Sequence, residues 1–229
     1  MTIGQKQLFS LMQFAGGTFP TGGFSQSWGL ETYVACGAVA DAQTFNSFLK
    51  TYLASTVSRC EGPILCAAYR IAPEWKIEAI LELEEFSRAV KVTKESREAS
   101  LRMGKAFLRI TAELLADEDI CRLRKLSANK GISYPVAYGL VCGRLGLGLE
   151  SSLGAFVFSA ANALVQSGVK LIPLGNTQAQ QLLLGLQPLM ETCVDESINR
   201  PLAEVSNFCP AMDIAGIVHE TLPVRLYMS

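Results

Sequence analysis

From Ser151 to Val169 the chain carries no charged side chain, and this run limits its possible folds more than any other stretch. A segment this apolar either crosses a bilayer, for which ~20 mostly apolar residues suffice, or lies buried in protein. Ser159, Asn162, Gln166 and Ser167 interrupt the run, and neither aromatic nor basic anchors close it, so a buried central helix is expected and no membrane association. Such a helix needs others around it. Phe45, Phe48, Leu49, Tyr52 and Leu53 recur at helical spacing behind Asp41, a suitable N-cap. Thr93 is placed to cap a second helix with the stripe Ala99, Met103, Ala106, Phe107, Ile110 and Leu114. A third begins near Asn176 or Thr177 and carries Ala179, Leu182, Leu183, Leu186 and Met190, while Val136 to Leu147 reads as another buried helix. Sustained period-two alternation and Asn-Gly or Asp-Gly hairpin signals are absent from the sequence. The expected class is all-α, a single-domain bundle of about ten helices over residues 1–229.

Two sets of small residues repeat at helical spacing, Ser96, Ser100 and Gly104, and Gly139, Gly143 and Gly146. Glycine within a helix costs about 1 kcal/mol against alanine, so its repetition on one face points to close approach by a neighbouring helix or by another chain. The longest stretches without helical pattern, Phe14 to Phe24 and Pro201 to Pro210, do not read as domain boundaries.

With 49% hydrophobic and 18% charged residues the chain has apolar surface to spare, which excludes disorder and suggests that a partner covers part of it. Its 20 Lys+Arg against 21 Asp+Glu give a net charge of −1, without the basic excess that nucleic acid or an anionic membrane selects. The seven cysteines include no C-x-x-C pair, and the N-terminal stretch lacks the regions of a secretory signal, so a reducing cytoplasmic setting is expected. Most of these cysteines should serve as small buried hydrophobes.

Catalytic chemistry finds little support. Gly17 to Gly22 spans G-x4-G, but Gly23 and Phe24 follow where a phosphate-binding loop needs Lys and Ser/Thr. Gly23 to Ser27 falls one residue short of a nucleophile elbow and has no strand before it. The single histidine, His219, leaves a Ser or Cys nucleophile with one possible imidazole base, and it offers no metal-ligand cluster. Glu82, Glu84 and Glu85 read as a solvated helix face. These residues point to a non-enzymatic helical protein that binds other proteins and holds no cofactor of its own.

The segment from Leu11 to Glu31, with Gln13, Pro20, Gly22, Phe24, Ser25, Ser27, Gly29, Leu30 and Glu31, resembles the opening signature of the UreF family of urease accessory proteins, roughly L-x-Q then P-x-G-x-F-S-x-S-x-G-L-E. Further blocks agree in order: Glu95 to Gly104, Tyr134 to Gly139, and Leu171 to Gln180. The ending His219-Glu220 with Arg225-Leu226-Tyr227 is similar to the family's H-E then R-L-F. Gly17 and Thr18 stand where many relatives carry a Ser-Pro type pair, Gln26 replaces a common aromatic, and Tyr227 stands for Phe.

The resemblance implies an all-helical cytoplasmic chaperone without enzymatic activity. It would form a homodimer, join the scaffold protein UreD (UreH in some organisms) and the GTPase UreG, and help deliver nickel to apo-urease. GTP would sit on the partner alone, and nickel would pass through without being stored. The segment 211–229 is expected to be a flexible tail that docks the scaffold through His219, Glu220, Arg225, Leu226 and Tyr227. Ser96, Arg97, Ser100, Gly104, Asn176 and Gln180 are candidates for dimer or GTPase contacts. The glycine-rich opening would shape the core or a passage, with Phe24 and Trp28 buried and Ser25 and Ser27 satisfying a helix start. The alternative left open is a helical protein-binding scaffold unconnected with urease.

Overall fold

The computed structural model describes residues 3–23, 26–223 and 225–227. They form α1 (Gln5–Phe14), α2 (Leu30–Ala35), α3 (Ala42–Tyr52), α4 (Gly62–Ile71), α5 (Ile77–Ala89), α6 (Lys94–Leu115), α7 (Glu118–Leu126), α8 (Tyr134–Arg144), α9 (Leu149–Leu171), α10 (Asn176–Gly185), α11 (Gln187–Asn199) and α12 (Pro210–His219), with no strand among the described residues. Phe24 and Ser25, singled out in the opening signature, lie outside them.

The charge-free run is the body of α9, at the centre of the bundle. Helices α1 to α4, α8, α10 and α11 all pack against it, and Leu153, Phe156, Val157, Leu164 and Val165 are buried. By length and composition α9 is apolar enough to cross a membrane, yet 50% of its most apolar stretch is covered by the chain itself. The anticipated caps are in place: Asp41 Oδ1 accepts the Thr44 amide at 2.8 Å, and Thr93 Oγ1 accepts the Ser96 amide at 3.3 Å. The stripe from Ala179 to Met190 does not run as one helix, because Pro188 has no N–H to continue α10 and instead opens α11.

Helices α3 and α4 form one continuous rod through a π-helical segment, Leu53–Glu61. Pro63 explains the widened turn, since proline within a helix can neither donate to nor pack against the carbonyl four residues back. That carbonyl belongs to Arg59 and accepts the Ser206 amide at 3.1 Å, which ties the chain before α12 to the rod. The same segment buries Glu61, whose Oε1 lies 2.6 Å from Lys91 Nζ with both side chains almost inaccessible.

One expectation needs correction. Glu84 is not on a solvated face: it is 2% exposed, and its Oε2 accepts the Ser133 amide and hydroxyl, each at 2.7 Å, at the start of α8. Arg88 holds the other oxygen at 2.7 Å. Two of the small residues of α6 meet groups of this chain. A Cβ on Gly104 would run into the Ile132 carbonyl, and Ser100 Oγ accepts the Tyr134 amide at 3.2 Å. Gly139 and Gly143 likewise let α8 lie on the backbone of α4, whereas a Cβ on Gly146 would meet nothing within 4 Å.

Candidate functional site

The polar groups that draw most attention lie where α2, α6 and the C-terminal segment meet. Gly29 begins α2 at φ 84, a left-handed conformation that glycine adopts freely. A Cβ there would stand 3.2 Å from Ala215 Cβ, so the glycine also leaves room for α12 to cross. Thr32 Oγ1 donates to the Ala215 carbonyl at 2.8 Å and fixes the crossing.

This geometry brings the sole histidine between two carboxylates. His219 is fully buried, with Nε2 3.0 Å from Glu31 Oε2 and Nδ1 3.3 Å from Glu95 Oε2. Glu31 also accepts the Leu226 amide at 2.7 Å and the Tyr227 amide at 3.2 Å. Burial raises the Glu31 carboxyl, but the Leu226 amide, the His219 imidazole and the Tyr227 amide outweigh it and hold the group below its ordinary pKa. Glu95 moves the other way: burial dominates, Glu220 adds to it, and His219 and Arg225 offset only part. Both imidazole nitrogens face carboxylates, so neither aims a lone pair at an open ligand position. Among the described residues no group of three or more His, Cys, Asp or Glu side chains is arranged to hold a metal.

The tail candidates fall around this cluster. Of the segment expected to be a flexible tail, α12 packs through Ala215, Gly216 and His219, and Glu31 accepts the amides of Leu226 and the buried Tyr227 beyond it. Arg225 is half exposed with Nη1 3.8 Å from Glu95 Oε1, and the Tyr227 ring lies 5.9 Å from Lys170 Nζ. Glu220 and the Leu226 side chain face solvent. On the outer side of α12 Ile214, Ile217 and Val218 are exposed at 59%, 56% and 42%, and in the segments before and after it Phe208 at 79% and Leu226 at 71%. The segment is thus pinned by its polar groups and outwardly apolar.

The remaining candidates are not gathered with it. Asn176 and Gln180 are exposed on α10, and Arg97 donates to the Lys91 and Val92 carbonyls. In the opening signature Pro20 and Gly22 lie at the surface and Ser27 is buried. The start of α2 is capped by Gly29, and the Ser27 carbonyl accepts the Leu30 amide at 3.0 Å. Trp28 is half-buried. Phe14, Phe19, Trp28, Tyr52, Glu61 and Tyr134 line a cavity of about 50 Å³, and Trp28 and Tyr52 also line a second of about 40 Å³ that reaches Lys91, Glu95 and Asp213. Glu95, Glu61 and Lys91 were not anticipated. The available signal for Glu95 was its place in the first turn of α6 at the head of a matched block.

These features define a class: an all-α bundle that clamps its own C-terminal helix through a buried carboxylate and turns that helix's apolar side outward. The UreF family profile matches residues 39–187. Over 225 residues the chain is 31% identical to the urease accessory protein UreF of Bacillus sp. (strain TB-90), covering 97% of this chain and 99% of that one. It is 32% identical to the protein of the same name from Rhodopseudomonas palustris (strain HaA2), covering 97% and 93%. The corresponding protein of Sporosarcina pasteurii is 31% identical over 87% of this chain and its own full length. The chain belongs to the UreF family of urease accessory proteins.

Proposed function

We propose that this chain acts in urease maturation as a non-enzymatic cytoplasmic homodimer that bridges the scaffold protein UreD/UreH and the GTPase UreG. In that role it regulates GTP-dependent insertion of nickel into apo-urease. Nickel is cargo here, and GTP is held by the partner. The observation that carries the docking part of this reading is the outward apolar side of α12, held in place by the Glu31–His219 contact. Exposed apolar side chains beside an aromatic and an arginine suit a protein interface, whose energetics concentrate on such anchors. The two cavities flanking Trp28 and Tyr52 supply internal space along which cargo would move.

The test is co-expression with the scaffold and GTPase of the same organism, with and without the segment after Pro210, read by mass on a sizing column. Two copies of this chain in a stable assembly that is lost on truncation support the proposal. Failure of the full-length chain to form any complex overturns it and leaves a helical binding protein unconnected with urease.

A further inference from the structure

A second surface lies away from the C-terminal cluster, where α6 and α7 pack together. Lys105, Leu108, Arg109, Arg124, Ser127 and Ala128 line a groove of about 210 Å³. Three of these six are cations and none is a carboxylate, in a chain whose total charge is −1. Arg124 has a partner in Glu113 at 3.3 Å, on the α6 side of the groove. Lys105 and Arg109 have none among the described residues, and both are exposed. Nearby acids are engaged elsewhere: Asp117 and Asp119 hold Arg144 at 3.0 and 2.9 Å, and Glu98 faces Lys94 and Arg102.

Lys105 and Arg109 stand four residues apart on one helix face, an arrangement of like charges that opposes the helix carrying them. The negative end of α7 points to the same place, but its last carbonyls are occupied: Ser127 Oγ donates to Leu123 O at 2.8 Å and the Ser127 amide to the same oxygen at 2.9 Å. Lys105 and Arg109 therefore remain unpaired beside a buried apolar floor at Leu108. No aromatic ring lines it for base stacking, and the rest of the surface has no basic excess to follow a polyphosphate.

We propose that the α6–α7 groove docks an acidic segment of a partner protein, a stretch of Asp and Glu side chains that pair with Lys105 and Arg109. The surface is separate from the α12 face, so the two can be tested independently. The probe is a fluorescein-labelled oligoglutamate peptide titrated with the full-length chain and read by anisotropy. Binding is expected at low ionic strength and should weaken at least tenfold toward 1 M salt, where screening acts over about 3 Å. The pair Lys105→Glu with Arg109→Glu should abolish it. Lys6→Glu with Lys50→Glu changes the net charge equally at exposed positions on α1 and α3 and should leave affinity within about twofold. Circular dichroism confirms that both variants fold; should the first not, Lys105→Gln with Arg109→Gln replaces it and should weaken binding about tenfold. Absence of binding, equal loss in both variants, or tighter binding of a single-stranded oligonucleotide than of the peptide overturns the proposal.

Discussion

Glu31 and His219 stand 188 residues apart in the chain and 3.0 Å apart in space, and the same carboxylate accepts the amides of Leu226 and Tyr227. One side chain of α2 thus holds both the end of α12 and the chain beyond it. Hydrogen bonds to a charged group contribute ~1.5–3 kcal/mol each. Glu31→Ala should therefore free the segment while the bundle stays folded, raising amide exchange at Leu226 and Tyr227 by roughly tenfold or more and weakening scaffold association. Glu95→Gln should do less, because Glu95 faces His219 at 3.3 Å and the half-exposed Arg225 at 3.8 Å, both longer than the 2.7 Å bond of Glu31 to the Leu226 amide. Unchanged exchange in Glu31→Ala would show that apolar packing alone holds the segment.

The same carboxylate gives the clamp a pH dependence. The folded pKa of Glu31 lies below its ordinary 4.5, so its contribution is fully present above that value and is lost as pH falls through the folded one. Glu95 is raised, so its ionised form disfavours the fold and that penalty fades as the solution is acidified. Below about pH 4.5 the segment should loosen first, with Glu95 softening the loss. Exchange at Leu226 and Tyr227, corrected for the intrinsic effect of pH, measures this; in Glu31→Gln the dependence should flatten.

Legibility from the sequence follows the distance over which each interaction acts. Asp41 and Thr93 cap helices through amides three residues on, and the apolar run of α9 declares its burial by composition, so these elements were readable. The π-helical segment was not, because it depends on Pro63 and on an amide from Ser206. Glu84 looked solvated within an acidic run, and the groups that bury it come from Ser133. In the C-terminal cluster the residue names were visible in the motif, but the chemistry was not, since periodicity cannot see that Glu31 and His219 meet. The small residues of α6 announced close approach correctly without saying to what.

Gly104 separates the two meanings of that stripe. A Cβ there would collide with the Ile132 carbonyl, which is backbone and cannot swing aside, so Gly104→Ala should strain the α6–α8 crossing within the monomer. Overpacking of this kind costs about 1–3 kcal/mol. For a chain of this size each kcal/mol lowers Tm by roughly 2–4 °C, so a loss of about 2–12 °C is expected by calorimetry. The drop should be independent of protein concentration. A Tm matching the parent, with only self-association weakened, would instead assign Gly104 to an interface.

The buried pair between Glu61 and Lys91 yields the last prediction. At 2.6 Å and nearly out of solvent, the two charges satisfy each other but were both removed from water to do so. The raised Lys91 ammonium reflects this balance: burial lowers it, and Glu61, Cys60 and Glu84 more than restore it. Lys91→Met leaves Glu61 buried without its cation and should destabilise the fold by about 3–5 kcal/mol, whereas Lys91→Met with Glu61→Leu removes both charges and should recover most of the loss. Glu61 also lines the larger cavity and Lys91 the smaller. The double variant therefore keeps a stable fold while stripping charge from the wall between them. If it matches the parent in stability by urea unfolding but fails to support urease activation in a reconstituted assembly, the pair serves the cavities; if activation is intact, it serves the packing alone.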